Sequence, residues 1–423
     1  MPDTGRAVIN MYDLLMCLTN ACDLINPEVA GHHKQVAYLA FRIAEQMKLP
    51  AEQKKELVLA GLLHDVGALS LNERLSLIES EPPTSQDHAS RGARLIEEFP
   101  PLSGAAAIIR HHHVAWKNGD GKTFGGDEVS DLSHIIHLAD RISVAIDRRT
   151  DILGQVKDIR EKILKQRDTV FMPEAVDAFS DISFSEYIWL DAVYRPLLYI
   201  MPDIMAFDTF ELNLDEMIEL TKIFANIIDF QSPFTARHSA GVAATAEKLA
   251  RLAGFSENEC KMMLIAGNLH DLGKLAVDSN VLEKPDSLNA NELNIIRSHT
   301  FYTYRLLHVV RGFETINKWA SFHHEKLNGK GYPFHLTDDS IPLGSRIMAV
   351  ADIFTAITED RPYRKGMPKE RVVAIINSMV KDNSICGYVA SFLLVNYELI
   401  DNVRIEAQQK AAERYNDIFS VNP

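Results

Sequence analysis

His270-Asp271-Leu272-Gly273-Lys274 closes the run Glu259–Leu269, which is apolar almost throughout. Such a run predicts a buried helix, and it delivers a histidine and an aspartate side by side at its end. Neighbouring residues on a helix point about 100° apart, so both side chains can reach one cavity. A lone histidine in a helix is ordinarily a packed core or surface residue. Here the C-terminal half also holds His238, His299, His323 and His324, together with Asp352. Imidazole and carboxylate donors suit divalent Fe, Mn, Ni or Zn, and ligand softness alone does not choose among them. Lys274 follows His270 by one turn, so a continuing helix would put its ammonium on the same face.

Working outward, the stretch occurs twice. His238 precedes His270 by 32 residues, as His32 precedes His64. Ala60-Gly61-Leu62-Leu63-His64-Asp65-Val66-Gly67 matches Ala266-Gly267-Asn268-Leu269-His270-Asp271-Leu272-Gly273, and Leu138-Ala139-Asp140 resembles Val350-Ala351-Asp352. Near the start of each unit the shared offset is 206 residues, far longer than any solenoid period. It predicts two homologous domains, 1–205 and 206–423. Helical periodicity dominates, as in His238–Leu252, where Val242, Thr245, Ala246 and Leu249 form one apolar face. The expected class is therefore all-α.

Composition sets the outer bounds. A chain of 423 residues accommodates two cores, and a net charge of −14 excludes general binding to nucleic-acid polymers, which requires a basic surface. A small anionic substrate needs only a local positive pocket. The N-terminus lacks an apolar run with a cleavage site. No stretch approaches the roughly 20 apolar residues of a membrane span. Cys17, Cys22, Cys260 and Cys386 show no zinc-type spacing and read as reduced thiols. A cytoplasmic chain is expected.

Three motifs together resemble the HD-GYP family of the HD phosphohydrolase superfamily. They are His270–Lys274, His323-His324-Glu325-Lys326-Leu327-Asn328-Gly329-Lys330-Gly331-Tyr332-Pro333, and Ala351-Asp352 followed by Asp360-Arg361-Pro362-Tyr363-Arg364. The resemblance implies tandem helical HD-type domains and a metal-dependent phosphodiesterase acting on a cyclic dinucleotide. Cyclic di-GMP would be opened to pGpG, with pGpG or GMP as the final product, and cyclic GMP-AMP is the alternative substrate. A non-catalytic receptor for the same dinucleotide is the competing reading.

Carried over by position, His238, His270, Asp271 and Asp352 would hold one ion, and Asp271 would bridge to a second held by His299, His323 and His324. Relatives with a third ion have a carboxylate four residues before the first histidine. This chain has Phe234 there, so two divalent ions are expected, Fe or Mn first, with Ni or Zn as alternatives. Two cations about 3.5–4 Å apart activate water and stabilise charge on the attacked phosphodiester. Lys274 would neutralise charge growing on a phosphate oxygen. Arg361 and Arg364 would face the substrate phosphates. Tyr332 would stack on a base or simply pack, and the Gly-Tyr-Pro loop is where relatives contact diguanylate cyclase domains.

The N-terminal half keeps His32, His64, Asp65, His88 and Asp140. Within His111-His112-His113, spacing to Asp140 favours the first two histidines, while alignment on Asn118-Gly119 favours the last two. Ala68 stands in place of the lysine, no Gly-Tyr-Pro follows, and Arg148-Arg149 falls near the position of Asp360-Arg361. The pattern reads as a degenerate, regulatory or structural domain, with a second phosphate enzyme as the competing reading. Leu153–Gln166 reads as a solvated amphipathic helix or a homodimer contact. Ile405–Tyr415 reads as a polar helical tail without assignable chemistry.

Overall fold

The computed structural model describes residues 9–24, 31–68, 73, 76–77, 85–194, 211–230, 237–282, 284, 287–360 and 365–419. Helices dominate, as expected. Sheet among the described residues is limited to two antiparallel pairs of two-residue strands. β1 (Ile9–Asn10) pairs with β4 (Glu211–Leu212), and β2 (Thr123–Phe124) pairs with β3 (Asp127–Glu128). No described helix is long and apolar enough to cross a membrane.

The chain divides into two compact units, Asn26–Thr209 and a second made of Met1–Ile25 with Phe210–Pro423. One break falls between Thr209 and Phe210, and the first 25 residues group with the C-terminal unit. Helix α1 (Met11–Asp23) packs in the C-terminal unit, and the Cys17 thiol donates to Leu306 O at 3.0 Å. Its Met11, Tyr12, Leu14, Leu15 and Leu18 are buried, each contributing about 1.5–3 kcal/mol relative to exposure. Met11 and Asp23 stand 206 residues before Met217 and Asp229, so α1 is the N-terminal repeat's copy of a helix that the other repeat also owns. The repeat identifies the helix, whereas its apolar face decides where it docks.

In the N-terminal unit, α2 (His32–Gln46) crosses α3 (Ala51–Leu63), and α4 (Ser85–Ile96), α5 (Ser103–Arg110) and α6 (Asp131–Val144) complete the layer around them. A Cβ on Gly61 would lie 2.6 Å from Ala37 Cα, so only glycine lets the two backbones meet this closely. Helices α7 (Ile152–Leu164), α8 (Pro173–Ile182) and α9 (Glu186–Tyr194) follow. α7 buries only Ile152, Ile159 and Ile163, as an amphipathic surface helix should.

The C-terminal unit repeats the plan. Capping boxes start three of its helices: Asn213 with Glu216 for α10 (Leu214–Asp229), Ser256 with Glu259 for α12 (Glu257–Leu269), and Asn289 with Glu292 for α13 (Ala290–Leu307). Between them, α11 (His238–Leu252) is the central helix. Gly267 on α12 meets it as Gly61 meets α2, with a notional Cβ 2.5 Å from Ala243 Cα. α14 (Glu314–Ser321), α15 (Leu343–Thr358), α16 (Lys369–Lys381), α17 (Gly387–Val395) and α18 (Tyr397–Phe419) complete the unit. α18 is no free tail. It packs along α11 and buries Arg404 and Gln408.

Candidate metal centres

The two glycine crossings place the first ligand pairs. His32 and His64 have ring centroids 5.1 Å apart, and His238 and His270 are 5.7 Å apart. α12 ends at Leu269, with His270 as its C-cap, so the His-Asp pair sits at the helix terminus rather than within it. A 3-10 helix, Leu272–Ala276, then carries Lys274. The continuous helix expected through Lys274 is not formed, because Gly273 turns the chain against α13. Its N–H donates to Thr303 Oγ1 at 2.9 Å, and that hydroxyl donates to His270 O at 3.1 Å. A Cβ on Gly273 would lie 2.0 Å from His299 O. One glycine thus sets the distance between the His-Asp pair and the next histidine.

The resulting cluster contains the whole expected set. His238, His270 and Asp352 bring ligand atoms within 4.8 Å of one another, and so do His299, His323 and His324, and His270, Asp271 and His323. Asp271 lies between the groups: Oδ2 is 3.1 Å from His270 Nε2 and Oδ1 is 3.4 Å from His299 Nε2. Lys274 Nζ reaches Asp271 Oδ2 at 2.6 Å despite the broken helix. All of these ligands are buried except His324, which is about a third exposed.

Backbone carbonyls fix the tautomers. His270 Nδ1 lies 2.7 Å from Gly267 O, His299 Nδ1 lies 2.5 Å from Ile296 O, and His323 Nδ1 lies 2.6 Å from Ala320 O. A carbonyl can only accept, so each proton sits on Nδ1 and each Nε2 lone pair faces the cluster. His270 Nε2 is buried and makes no hydrogen bond among the described residues. An orphaned buried nitrogen amid carboxylates and imidazoles is what a divalent cation satisfies, so these residues fit the expected ions.

Electrostatics separates the two groups. Burial works against charge on His238, but the Glu359 and Asp352 carboxylates outweigh it and raise it to about 10. Burial dominates at His299, holding it near about 3, and it also lowers His323 and His324. Burial opposes ionisation of Asp271, yet His270 and Lys274 hold its carboxyl well below the usual range.

Tyr332 packs on the cluster. Its ring centroid is 4.9 Å from that of His324, with Arg297 over its other surroundings at 5.5 Å. The loop carrying it is pinned by buried Glu325, which accepts from Phe334 N at 2.7 Å and Leu336 N at 2.9 Å. Arg361 and Arg364 lie outside the described residues, as does Phe234. Sequence reasoning missed Glu359, Gln408 and Arg297. Arg297 had one available signal, its place two residues before His299.

The N-terminal unit builds the same arrangement. His32, His64 and Asp140 form one group, and Asp65, His88, His112 and His113 form the other. The structure resolves the register in favour of His112-His113. His111 turns away, with Nε2 4.0 Å from Asp127 Oδ2, outside both groups. His64 and His112 donate to Gly61 O at 2.9 Å and Ile109 O at 2.7 Å, the same tautomer device. Ala68, at the lysine position, is fully buried.

Known proteins agree with this architecture. Residues 222–385 and 29–145 each match the HD domain. The 3'3'-cGAMP-specific phosphodiesterase 1 of Vibrio cholerae is 29% identical over 90% of this chain and 90% of its own. The cyclic di-GMP phosphodiesterase of Thermotoga maritima is 30% identical over 46% of this chain and 54% of its own. A crystal structure of a cyclic GMP-AMP-specific phosphodiesterase from V. cholerae superposes with a TM-score of 0.64 at 22% identity, over 93% of this chain and 99% of that one. With an HD domain in each half and the same order of histidines and aspartates in both, the chain belongs to the HD domain family.

Proposed function

We propose that the C-terminal unit is a two-metal phosphodiesterase that hydrolyses a cyclic dinucleotide. The observation that carries this reading is Asp271 between two histidine groups with Lys274 Nζ 2.6 Å from its carboxylate. His238, His270, Asp271 and Asp352 would hold one ion, and Asp271, His299, His323 and His324 the other, with Fe or Mn the first choices. When bound, two such ions supply Lewis acidity and lower the proton affinity of water at the attacked phosphorus. The chain's own residues do the rest. Nδ1 hydrogen bonds hold three imidazoles in the ligating tautomer. Lys274 keeps a positive charge at the mouth of the cluster, where a non-bridging phosphate oxygen gains charge. Tyr332 and Arg297 line the side nearest His324, and Arg361 and Arg364 are assigned to the phosphates.

Likeness to a cGAMP-specific relative over nine-tenths of both chains supports cyclic GMP-AMP as first substrate, ahead of cyclic di-GMP. The lysine beside Asp271 favours turnover over a receptor role. For the N-terminal unit we propose a regulatory or structural part, since it builds the ligand cluster without a lysine. The test is incubation of metal-reconstituted protein with each dinucleotide and chromatography of the products, with Asp271→Ala as control. Linear dinucleotide from one substrate and none from the control is the expected result. Unchanged nucleotides under Mn and anaerobic Fe would turn the reading to a receptor.

A further inference from the structure

Where His270, His299 and His323 each place Nδ1 against a nearby backbone carbonyl, His238 places its Nδ1 against a side-chain carboxylate. Its Nδ1 lies 3.1 Å from Glu359 Oε2, while Nε2 lies 3.2 Å from Asp352 Oδ1. Glu359 is 8% exposed, so its charge faces little water. The same Oε2 accepts from Gln408 Nε2 at 3.3 Å. Gln408 belongs to α18, and its carboxamide has a fixed sense: Arg404 Nη1 donates to Gln408 Oε1, leaving the amide NH2 for Glu359. Arg404 is itself held by Asp401 Oδ1 at 2.6 Å and 2.9 Å. Gly241 makes the space, since a Cβ there would lie 2.8 Å from Gln408 Nε2.

The N-terminal unit shows that this is not a requirement of the fold. His32 Nδ1 meets Ser143 Oγ at 3.0 Å, and that hydroxyl donates to Gln35 Oε1 at 2.9 Å. Gln35 follows His32 by three residues, where the other unit has Gly241. Asp147, seven residues past Asp140 as Glu359 is past Asp352, accepts from Arg149 Nε at 2.9 Å.

We infer that Glu359, oriented by Gln408 of the C-terminal helix, is a positioning residue that makes His238 a stronger and better-aimed metal ligand. A carboxylate on Nδ1 fixes the ring and raises the donor strength of Nε2, and loss of such a partner typically costs about 10–100-fold in metal affinity. The C-terminal helix is thereby part of the metal centre. The inference rests on the reading above, that His238 is a ligand.

The experiment titrates full-length, metal-stripped protein with Mn2+, counting bound ions by equilibrium dialysis and following free Mn2+ by electron paramagnetic resonance. His238→Ala defines which ion belongs to this position, whatever the N-terminal unit binds. Glu359→Ala should weaken that ion about 10–100-fold. Glu359→Gln, whose amide oxygen still accepts from Nδ1, should recover most of the loss, and Gln408→Ala should weaken the ion by less than Glu359→Ala. Because Glu359→Gln is nearly isosteric, it reports even if the alanine variant fails to fold. Wild-type affinity in Glu359→Ala, with an ion lost in His238→Ala, overturns the inference alone. An undiminished ion count in His238→Ala overturns the ligand assignment beneath it. Equal losses in Glu359→Ala and Glu359→Gln would also overturn the inference, because the proposed Nδ1 contact survives in the second.

Discussion

Replacing Lys274 by methionine isolates the charge that distinguishes the C-terminal centre. The methionine keeps most of the stem and removes only the ammonium, which lies 2.6 Å from Asp271 Oδ2 with the lysine side chain 24% exposed. Two effects follow, and they differ in size. If the ammonium acts on a phosphate oxygen in the transition state, its loss should lower kcat about 10²–10³-fold, the range for removing one preorganised donor, or about 2.7–4 kcal/mol. The second effect is on the resting protein. Breaking a fully buried ion pair costs about 3–5 kcal/mol, but the partial exposure of Lys274 reduces that to about 1–2 kcal/mol in metal-free protein. Bound divalent ions carry the Asp271 charge instead, so the stability cost should nearly vanish in metal-loaded protein. The assay is single-turnover chromatography of cyclic GMP-AMP at saturating Mn, with metal content and urea unfolding measured on the same samples. A rate within about threefold of wild type would refute the electrostatic role, the expected loss being at least tenfold larger. Loss of ions matching Asp271→Ala would show that the lysine holds the site together.

Gly273→Ala should be among the most damaging small substitutions, because its Cβ would lie 2.0 Å from His299 O and 2.8 Å from Thr303 N. Overpacking against backbone predicts a loss of about 3 kcal/mol or more in urea unfolding and a missing ion at the His299 group, and normal values for both would contradict the crossing argument. In the N-terminal unit, His112→Ala should lower the metal count per chain and His111→Ala should not. A wild-type count near two in place of four would instead mean that the unit holds no ions. Asp229 is buried and raised to about 6 by desolvation, above its ordinary 3.8, while it accepts from Ser239 N and Oγ at 2.8 Å. Between about pH 4 and pH 6 the folded chain therefore keeps a proton that the unfolded chain has lost, so this group's contribution to stability falls as pH rises through that window and is level above it. Asp229→Asn should remove up to about 3 kcal/mol of that fall, and unfolding curves of variant and wild type that stay parallel from pH 4 to 7 would disprove it.

The candidate cluster was legible because a metal site would impose residue types that little else demands. His-Asp and His-His pairs that recur in the same order in both halves of the chain leave few alternatives. The glycines at positions 61 and 267 also stood in the repeated motif, although only the structure shows the backbones they let meet. The supporting groups were hidden for a different reason. Glu359 meets His238 across 121 residues and Gln408 meets Glu359 across 49, so no local spacing records either contact. Arg404 and Gln408 are polar residues on the inward face of α18, and inward polar residues make a buried helix read as a solvated tail. The place of α1 was hidden similarly. An amphipathic face states that a partner exists, and both repeats offer one.

What distinguishes the two candidate centres is then the charge around them, since the histidines and aspartates that could hold ions are of the same types in both. In the N-terminal unit, Arg141 donates twice to Asp140 Oδ2, at 2.6 Å and 3.0 Å, and draws electron density from a carboxylate whose Oδ1 is 3.1 Å from His32 Nε2. The C-terminal unit has Ile353 at that position, leaving Asp352 undivided. His32 is aimed by a neutral hydroxyl, and His238 by a buried carboxylate. Both differences push the same way, toward weaker donors in the N-terminal unit and stronger donors in the C-terminal one. Stronger anionic donors by themselves would blunt the Lewis acidity that attack on a phosphodiester requires. Lys274 offsets this by placing a positive charge beside the bridging carboxylate, and Ala68 has nothing to offer there. On the function proposed above, a centre that holds its ions tightly and still acts on an anionic substrate needs both the carboxylate behind His238 and the ammonium in front of Asp271, and among the described residues the C-terminal unit has the two together.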